Sequence, residues 1–205
     1  MKPTVYKQIP LYRFLDFCLD ASPKTGLSIL DAGAGGTTPP IALFHSHGFD
    51  TYGVEIDAKA LAEAKQFESE NHLNLGIIQG DMLHLPYEHH RFDFVYSYNS
   101  IFHMKKVDID LAMAELHRVL KPGGLLFVNF LNIDDFRCGD GPNLGNHQYE
   151  QMDDEPVIHS YFHYDEADRY FEGMEILVKE TRIIERIYEG ERIRQGFVDY
   201  IVRTE

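Results

Sequence analysis

The run Ser28-Ile-Leu-Asp-Ala-Gly-Ala-Gly-Gly-Thr-Thr-Pro-Pro40 constrains this chain more than any other stretch. A short apolar segment ends in an acid, passes through a glycine-rich turn and meets a proline-marked helix start. Ile29 and Leu30 read as the end of a buried strand. The glycines let the backbone turn sharply and approach a ligand with no Cβ in the way. Thr38 followed by Pro39 predicts a helix N-cap and first turn at that point. The free N–H groups of such a helix face the glycine loop, an arrangement suited to a nucleotide-type ligand.

Spacing narrows the choice. The dinucleotide fingerprint Gly-x-Gly-x-x-Gly would run through Gly33 and Gly35 to position 38, which is Thr38, and no lysine completes a phosphate-binding loop. A second strand, Thr51–Ile56, ends in Glu55, and Asp57 caps a helix over Ala58–Glu70. Glu55 lies 24 residues beyond Asp31, where an acid accepts from both ribose hydroxyls of a nucleotide; the other reading is a solvated strand-end acid. A third strand, Leu75–Gln79, leads into Gly80-Asp81-Met82, and a fourth, Phe92–Ser97, into Tyr98–Met104. Helix Val107–Leu120 carries Ile109, Ala112, Met113, Leu116 and Leu120 at helical spacing and stops at Lys121-Pro-Gly-Gly124. Leu125–Phe130 is a fifth buried strand.

An acid before alternating glycines, a second acid on the next strand and Asp81 after the third occur in an order that resembles the class I S-adenosylmethionine-dependent methyltransferases. The likeness is to the type 11-like, small-molecule branch. The third alternating glycine of that family's first motif falls on Thr37, with Gly36 one place early. The resemblance covers about Leu27 to Thr204. It implies an α/β fold, Rossmann-like and doubly wound, with a mostly parallel seven-stranded sheet and a C-terminal antiparallel hairpin. It implies S-adenosyl-L-methionine as cofactor, held by Asp31, Ala32, Gly33 and Gly35 at the loop, with Glu55 on the ribose and Ile56 against the adenine. Asp81 then accepts the exocyclic amine, the Met82 N–H contacts the ring, and the Ser97 backbone faces the methionine portion.

Past the fifth strand the texture changes. Residues 132–160 hold three glycines and two prolines without periodicity, which predicts a structureless lid over an acceptor pocket. Tyr164–Glu172 reads as a short helix. Glu175–Tyr188 and Arg192–Val202 read as a hairpin turning at Glu189-Gly190. Arg182, Arg186, Arg192 and Arg194 alternate with acids there, as cross-strand pairs do.

The 205 residues fit one domain, 1–205, with residues 1–26 as an N-terminal helical extension. No run approaches the roughly 20 apolar residues that span a bilayer, and the N-terminus lacks a secretory layout. Two cysteines, Cys18 and Cys138, without metal spacing suggest reduced thiols and a cytoplasmic location. With 33 acids against 19 basic side chains the formal charge is −14, which disfavours nucleic acid and anionic membranes as partners. Eleven histidines include no metal-binding helical pair, so no metal site is expected. His103, just past the fourth strand, is the candidate catalytic base, its alternative role being to hold the following helix start. His159 and His163, beside Tyr161 and Tyr164, are candidates for lining the acceptor pocket. The expected function is methyl transfer to a small-molecule acceptor by a monomer or homodimer. The rivals are an aminopropyl transferase on the same fold and a non-catalytic cofactor-binding domain.

Overall fold

A computed structural model describes residues 9–21, 26–153, 155–188 and 190–205. In chain order, α1 (Ile9–Ala21) precedes β1 (Ser28–Ala32), α2 (Ile41–His45), β2 (Asp50–Glu55), α3 (Ala58–Asn71) and β3 (Ile77–Gln79). Next come β4 (Phe92–Ser97), α4 (Lys106–Val119) and β5 (Leu120–Asn132). The chain closes with β6 (Asn143–Gly145), β7 (Gln148–Met152), β8 (Pro156–Phe162), β9 (Glu175–Tyr188) and β10 (Glu191–Arg203). Residues 1–8 and 22–25 of the expected extension, and Glu189 of the expected turn, lie outside the described residues.

The sheet runs β3-β2-β1-β4-β5, all parallel, and continues antiparallel through β10 to β9. Alternation along each strand divides the core. Ile29, Phe94, Tyr96, Phe127 and Ile201 face α1 and α2, while Leu30, Val95, Val128 and Val198 face α4. Leu11, Phe14, Leu15 and Cys18 sit at helical spacing and form the buried stripe of α1. Helices therefore cover both faces, as a doubly wound sheet requires. Strand order reverses between β1 and β4, and the crevice beyond their carboxyl ends is where ligands bind in open sheets of this kind.

Four local expectations change. The second helix starts at Ile41 with Pro40 as its N-cap, and no side chain caps it. Thr38 and Pro39 each precede a proline, which pushes both out of helical backbone. The third strand is only Ile77–Gln79, because Gly76 takes a left-handed φ of 69° immediately before it. Lys121–Gly124 form a bulge within one long β5, since Phe92 pairs with Leu120 and Phe94 with Leu125. Gly124 is required there, as a Cβ would lie 2.7 Å from the Asp93 carbonyl oxygen. The short helix is a 3-10 turn over Glu166–Phe171.

The largest correction concerns residues 132–160, which are not structureless. β6, β7 and β8 form an antiparallel flap, and β8 joins the main sheet by pairing Tyr161 and Phe162 with Leu131 and Asn132 of β5. β4 ends where Ser97 pairs with Val128, so β8 takes over the edge of β5 that β4 leaves. The sheet thereby reaches ten strands, of which the expected seven are the β3-to-β9 series. The loop after β4 is pinned beneath the flap: the Ser160 N–H donates to the Phe102 carbonyl, and its hydroxyl donates to that of Met104.

Candidate functional site

Two neighbouring cavities open at the carboxyl ends of the parallel strands. The first, of about 230 Å³, begins at Gly33 after β1 and passes Val54, Glu55 and Ile56 at the end of β2. Gly80, Asp81, Met82 and Leu83 after β3 form its second wall. Ser100, His103 and Met104 after β4, with Asp108 of α4, close it. Its lining is mainly apolar.

Gly33 holds a left-handed φ of 104°, and a Cβ there would collide with the Ser100 side chain. The turn and the loop after β4 can pack this closely only because the residue is glycine. Gly35 stands directly over the Glu55 carboxylate: a Cβ would lie 2.6 Å from Oε2, the oxygen that accepts from the Gly35 N–H at 2.9 Å. Oε1 accepts from the Asp57 N–H at 2.9 Å. Each carboxylate oxygen has two lone pairs, so one on each remains for a ligand. Ile56 is 64% exposed at the cavity edge, an apolar side chain that a flat ring would cover. Asp81 accepts from the Leu83 N–H through Oδ1 at 2.9 Å.

Gly33, Glu55, Ile56, Asp81, Met82 and His103 thus line one cavity. Asp31, Ala32, Gly35 and Ser97 stand outside it. Asp31 is buried beneath the turn on the α1 side of the sheet, and the Tyr96 hydroxyl donates to its Oδ2 at 2.6 Å. Burial pushes its carboxyl up to about 8, with the nearby Glu55 charge adding to the rise and the Tyr96 hydrogen bond opposing it. Ala32 faces the α4 side of the core. Ser97 is fully buried with its hydroxyl unpartnered, and Ser100, three residues on, lines the cavity at that side.

The second cavity, also about 230 Å³, shares His103 with the first. Asn99, Phe102 and His103 form its base, Arg137, Asp153 and His159 one side, and Gln195 and Phe197 of β10 another. His103 is an exposed residue, and it lines both cavities. Protein surrounds it on its other sides, and its centroid lies 4.5 Å from that of His159. This crowding, with His159 beside it, lowers its imidazole to about 4. His159 is 4% exposed and is also lowered by burial. His163 lies elsewhere, its Nε2 3.2 Å from Nε2 of His147. Among the described residues no cluster of three or more potential ligands could hold a metal.

Ser100, Asn99 and Met104 were within reach of sequence reasoning, since they follow a strand already placed. Arg137, Asp153 and Gln195 were not, because only the pairing of the flap and the hairpin brings them to His103.

Residues 30–128 match a family described as a methyltransferase domain. The chain is similar to the sterol 24-C-methyltransferase of Pneumocystis carinii, 29% identical over 109 residues that cover 52% of this chain and 28% of that protein. It is similar to the demethylmenaquinone methyltransferase of Staphylococcus saprophyticus, 33% identical over 106 residues covering 50% and 44%. It spans less than half the length of either relative. A solved S-adenosylmethionine-dependent methyltransferase from Methanosarcina mazei shares the fold, with a TM-score of 0.71 at 19% identity over 98% of this chain and 99% of that one.

Proposed function

We propose that this chain, whose residues 30–128 match a methyltransferase domain, is a class I S-adenosylmethionine-dependent methyltransferase and that it methylates a small-molecule acceptor held in the second cavity. The observation that carries the reading is the placement of Glu55, whose carboxylate is locked by the Gly35 and Asp57 N–H groups and keeps a free lone pair on each oxygen.

The residues fit the cofactor. Glu55 accepts the two ribose hydroxyls, Ile56 and Met82 enclose the adenine, and Asp81 accepts its exocyclic amine through Oδ2. Gly33 lets the methionine portion approach the turn, and Ser100 takes the place expected of Ser97. Asp31, Ala32 and Gly35 act from beneath, by holding the turn and the Glu55 carboxylate in shape. When bound, the cofactor supplies an electrophilic methyl group on a sulfonium.

The work left to the protein is alignment of acceptor and methyl group. His103, standing between the two cavities, accepts the proton that an acceptor N–H or O–H releases as the new bond forms. An aminopropyl transferase would need paired free acids to hold a polyamine, and in the second cavity Asp153 is paired with Arg137, which leaves Asp135 alone for that role. Among the described residues no helix is long and apolar enough to cross a membrane.

Calorimetry with S-adenosylhomocysteine tests the reading. Saturable binding is expected, with none for NAD, and Glu55→Ala should weaken it by about 1–3 kcal/mol, the cost of leaving polar partners unmatched. Tighter binding of NAD, or unchanged affinity in the variant, would overturn it.

A further inference from the structure

Two histidines outside both cavities meet ring to ring. His147 lies in the turn that joins β6 to β7, and His163 directly follows β8. Their Nε2 atoms are 3.2 Å apart and their ring centroids 4.9 Å apart, with the planes at 82°. Zinc–imidazole bonds are about 2.0–2.1 Å long, so two of them near the tetrahedral angle hold their nitrogens roughly 3.1–3.4 Å apart. The centroids are closer than rings meeting head-on through these nitrogens would be, so the rings meet at an angle, as two ligands of one ion do. The backbone holds both rings in place. The His147 carbonyl accepts from the Tyr161 N–H at 2.9 Å, and the His163 N–H donates to Glu166 Oε2 at 3.1 Å. Asn146 and His147 take left-handed φ of 50° and 55°, in a two-residue loop of the kind that favours Asn-Gly. A histidine thus stands where a glycine would cost least, and its ring is spent on His163.

We propose that His147 and His163 form a two-histidine site for Zn²⁺, which ties the turn of the flap to the segment after β8. Imidazole nitrogen suits Zn²⁺, whereas Mg²⁺ takes oxygen ligands. His147 is half-buried and His163 exposed, so the ion enters from solvent. Glu166 also accepts from Lys106 Nζ and is not free to act as a third ligand, so water completes the coordination. Without the ion, one Nε2–H donates to the other Nε2. Zn²⁺ needs both nitrogens bare, so the donor ring gives up that proton to water and takes one up at Nδ1, and each Nε2 lone pair enters a metal bond. His159 and Tyr161 of β8 line the second cavity. An ion at the rim of the flap therefore steadies one wall of that cavity without entering it.

The test uses the full chain, stripped of metal with a chelator and returned to metal-free buffer, with Zn²⁺ alone as the probe. Competition with a zinc indicator reads affinity, and hydrogen exchange reads the flap. The variants are His147→Asn, which keeps a residue tolerant of left-handed φ, and His163→Gln. Each should weaken the tightest Zn²⁺ site at least about tenfold, and Mg²⁺ should not compete for it. His89→Ala removes a histidine from the turn before β4 and should leave the affinity unchanged. Amides of residues 145–149 should exchange more slowly with Zn²⁺ in the wild type and in His89→Ala, and show no such slowing in the other two variants. Absence of Zn²⁺ binding, affinity that survives both His147→Asn and His163→Gln, or binding that leaves the exchange of the flap unchanged overturns the proposal.

Discussion

Asp31 is an acid that the fold keeps protonated. An aspartate whose folded value is about 8 instead of 3.8 retains its proton where the unfolded chain has lost it. Its contribution to stability is present below the unfolded value and declines as pH rises through the folded one. Asp31→Asn removes that decline. In urea denaturation of the ligand-free protein the variant should gain on the wild type from pH 4 to pH 8, by up to about 1.4 kcal/mol per pH unit, the limit for one proton. A constant difference across that range would mean the carboxyl is ionised in the fold. His103 makes the opposite kind of prediction. With its imidazole lowered to about 4, turnover should stay level through pH 6.5 and fall only well below it. His103→Asn should keep cofactor affinity and lose about 10²–10⁴ in turnover; a loss of only a few fold would leave alignment alone as the mechanism.

At the scale of elements, the flap of β6, β7 and β8 decides how the acceptor side is built. β8 pairs with both β7 and β5, and the Lys106 N–H beneath it donates to the Gln148 side chain. Residues 157–162 should therefore exchange their amide hydrogens slowly in the free protein, while 139–147 exchange fast. Rapid exchange throughout would restore the structureless lid. Gly141 turns the chain into the flap with φ of 82°, and a Cβ would collide with the Glu150 carbonyl oxygen. Gly141→Ala should cost more than about 1 kcal/mol and loosen the flap first.

The whole molecule balances two opposed titrations. His117 is lowered to about 4 by burial, His103 to about 4 by the protein crowded around its ring, and His159 is lowered as well. A lowered histidine lets the unfolded state bind more protons between its folded value and about 6.5, so this stability is lost as pH falls through that window. Asp31 works the other way up to about 8. Asp135 and Asp199 are raised by burial as well and act with Asp31, so below 6.5 the histidines oppose these aspartates, and above it the aspartates act without them. The urea midpoint should therefore fall between pH 6.5 and pH 8. Equal midpoints at 6.5 and 8 would contradict the assignment of a proton to Asp31.

The order of strands, the glycine turn, Glu55 and the helix cap Asp57 were legible from residues 28–130, because each is a short-range pattern: a buried apolar run, a backbone that needs glycine, an acid at a strand end or helix start. The C-terminal hairpin was legible for the same reason, through its alternation. The helix start after Pro40 and the bulge at Lys121–Gly124 turn on local backbone sterics and on a partner strand. β6 to β8 carried no such pattern, since a strand of three to seven residues paired along its backbone needs little from its side chains. Only the tertiary structure could place Asp31 under the turn and not in the cavity, since facing is set by which side of the sheet α1 covers. It alone brought Arg137, Asp153 and Gln195 around His103, because residues this distant in sequence meet only when the flap and hairpin pair beside β5.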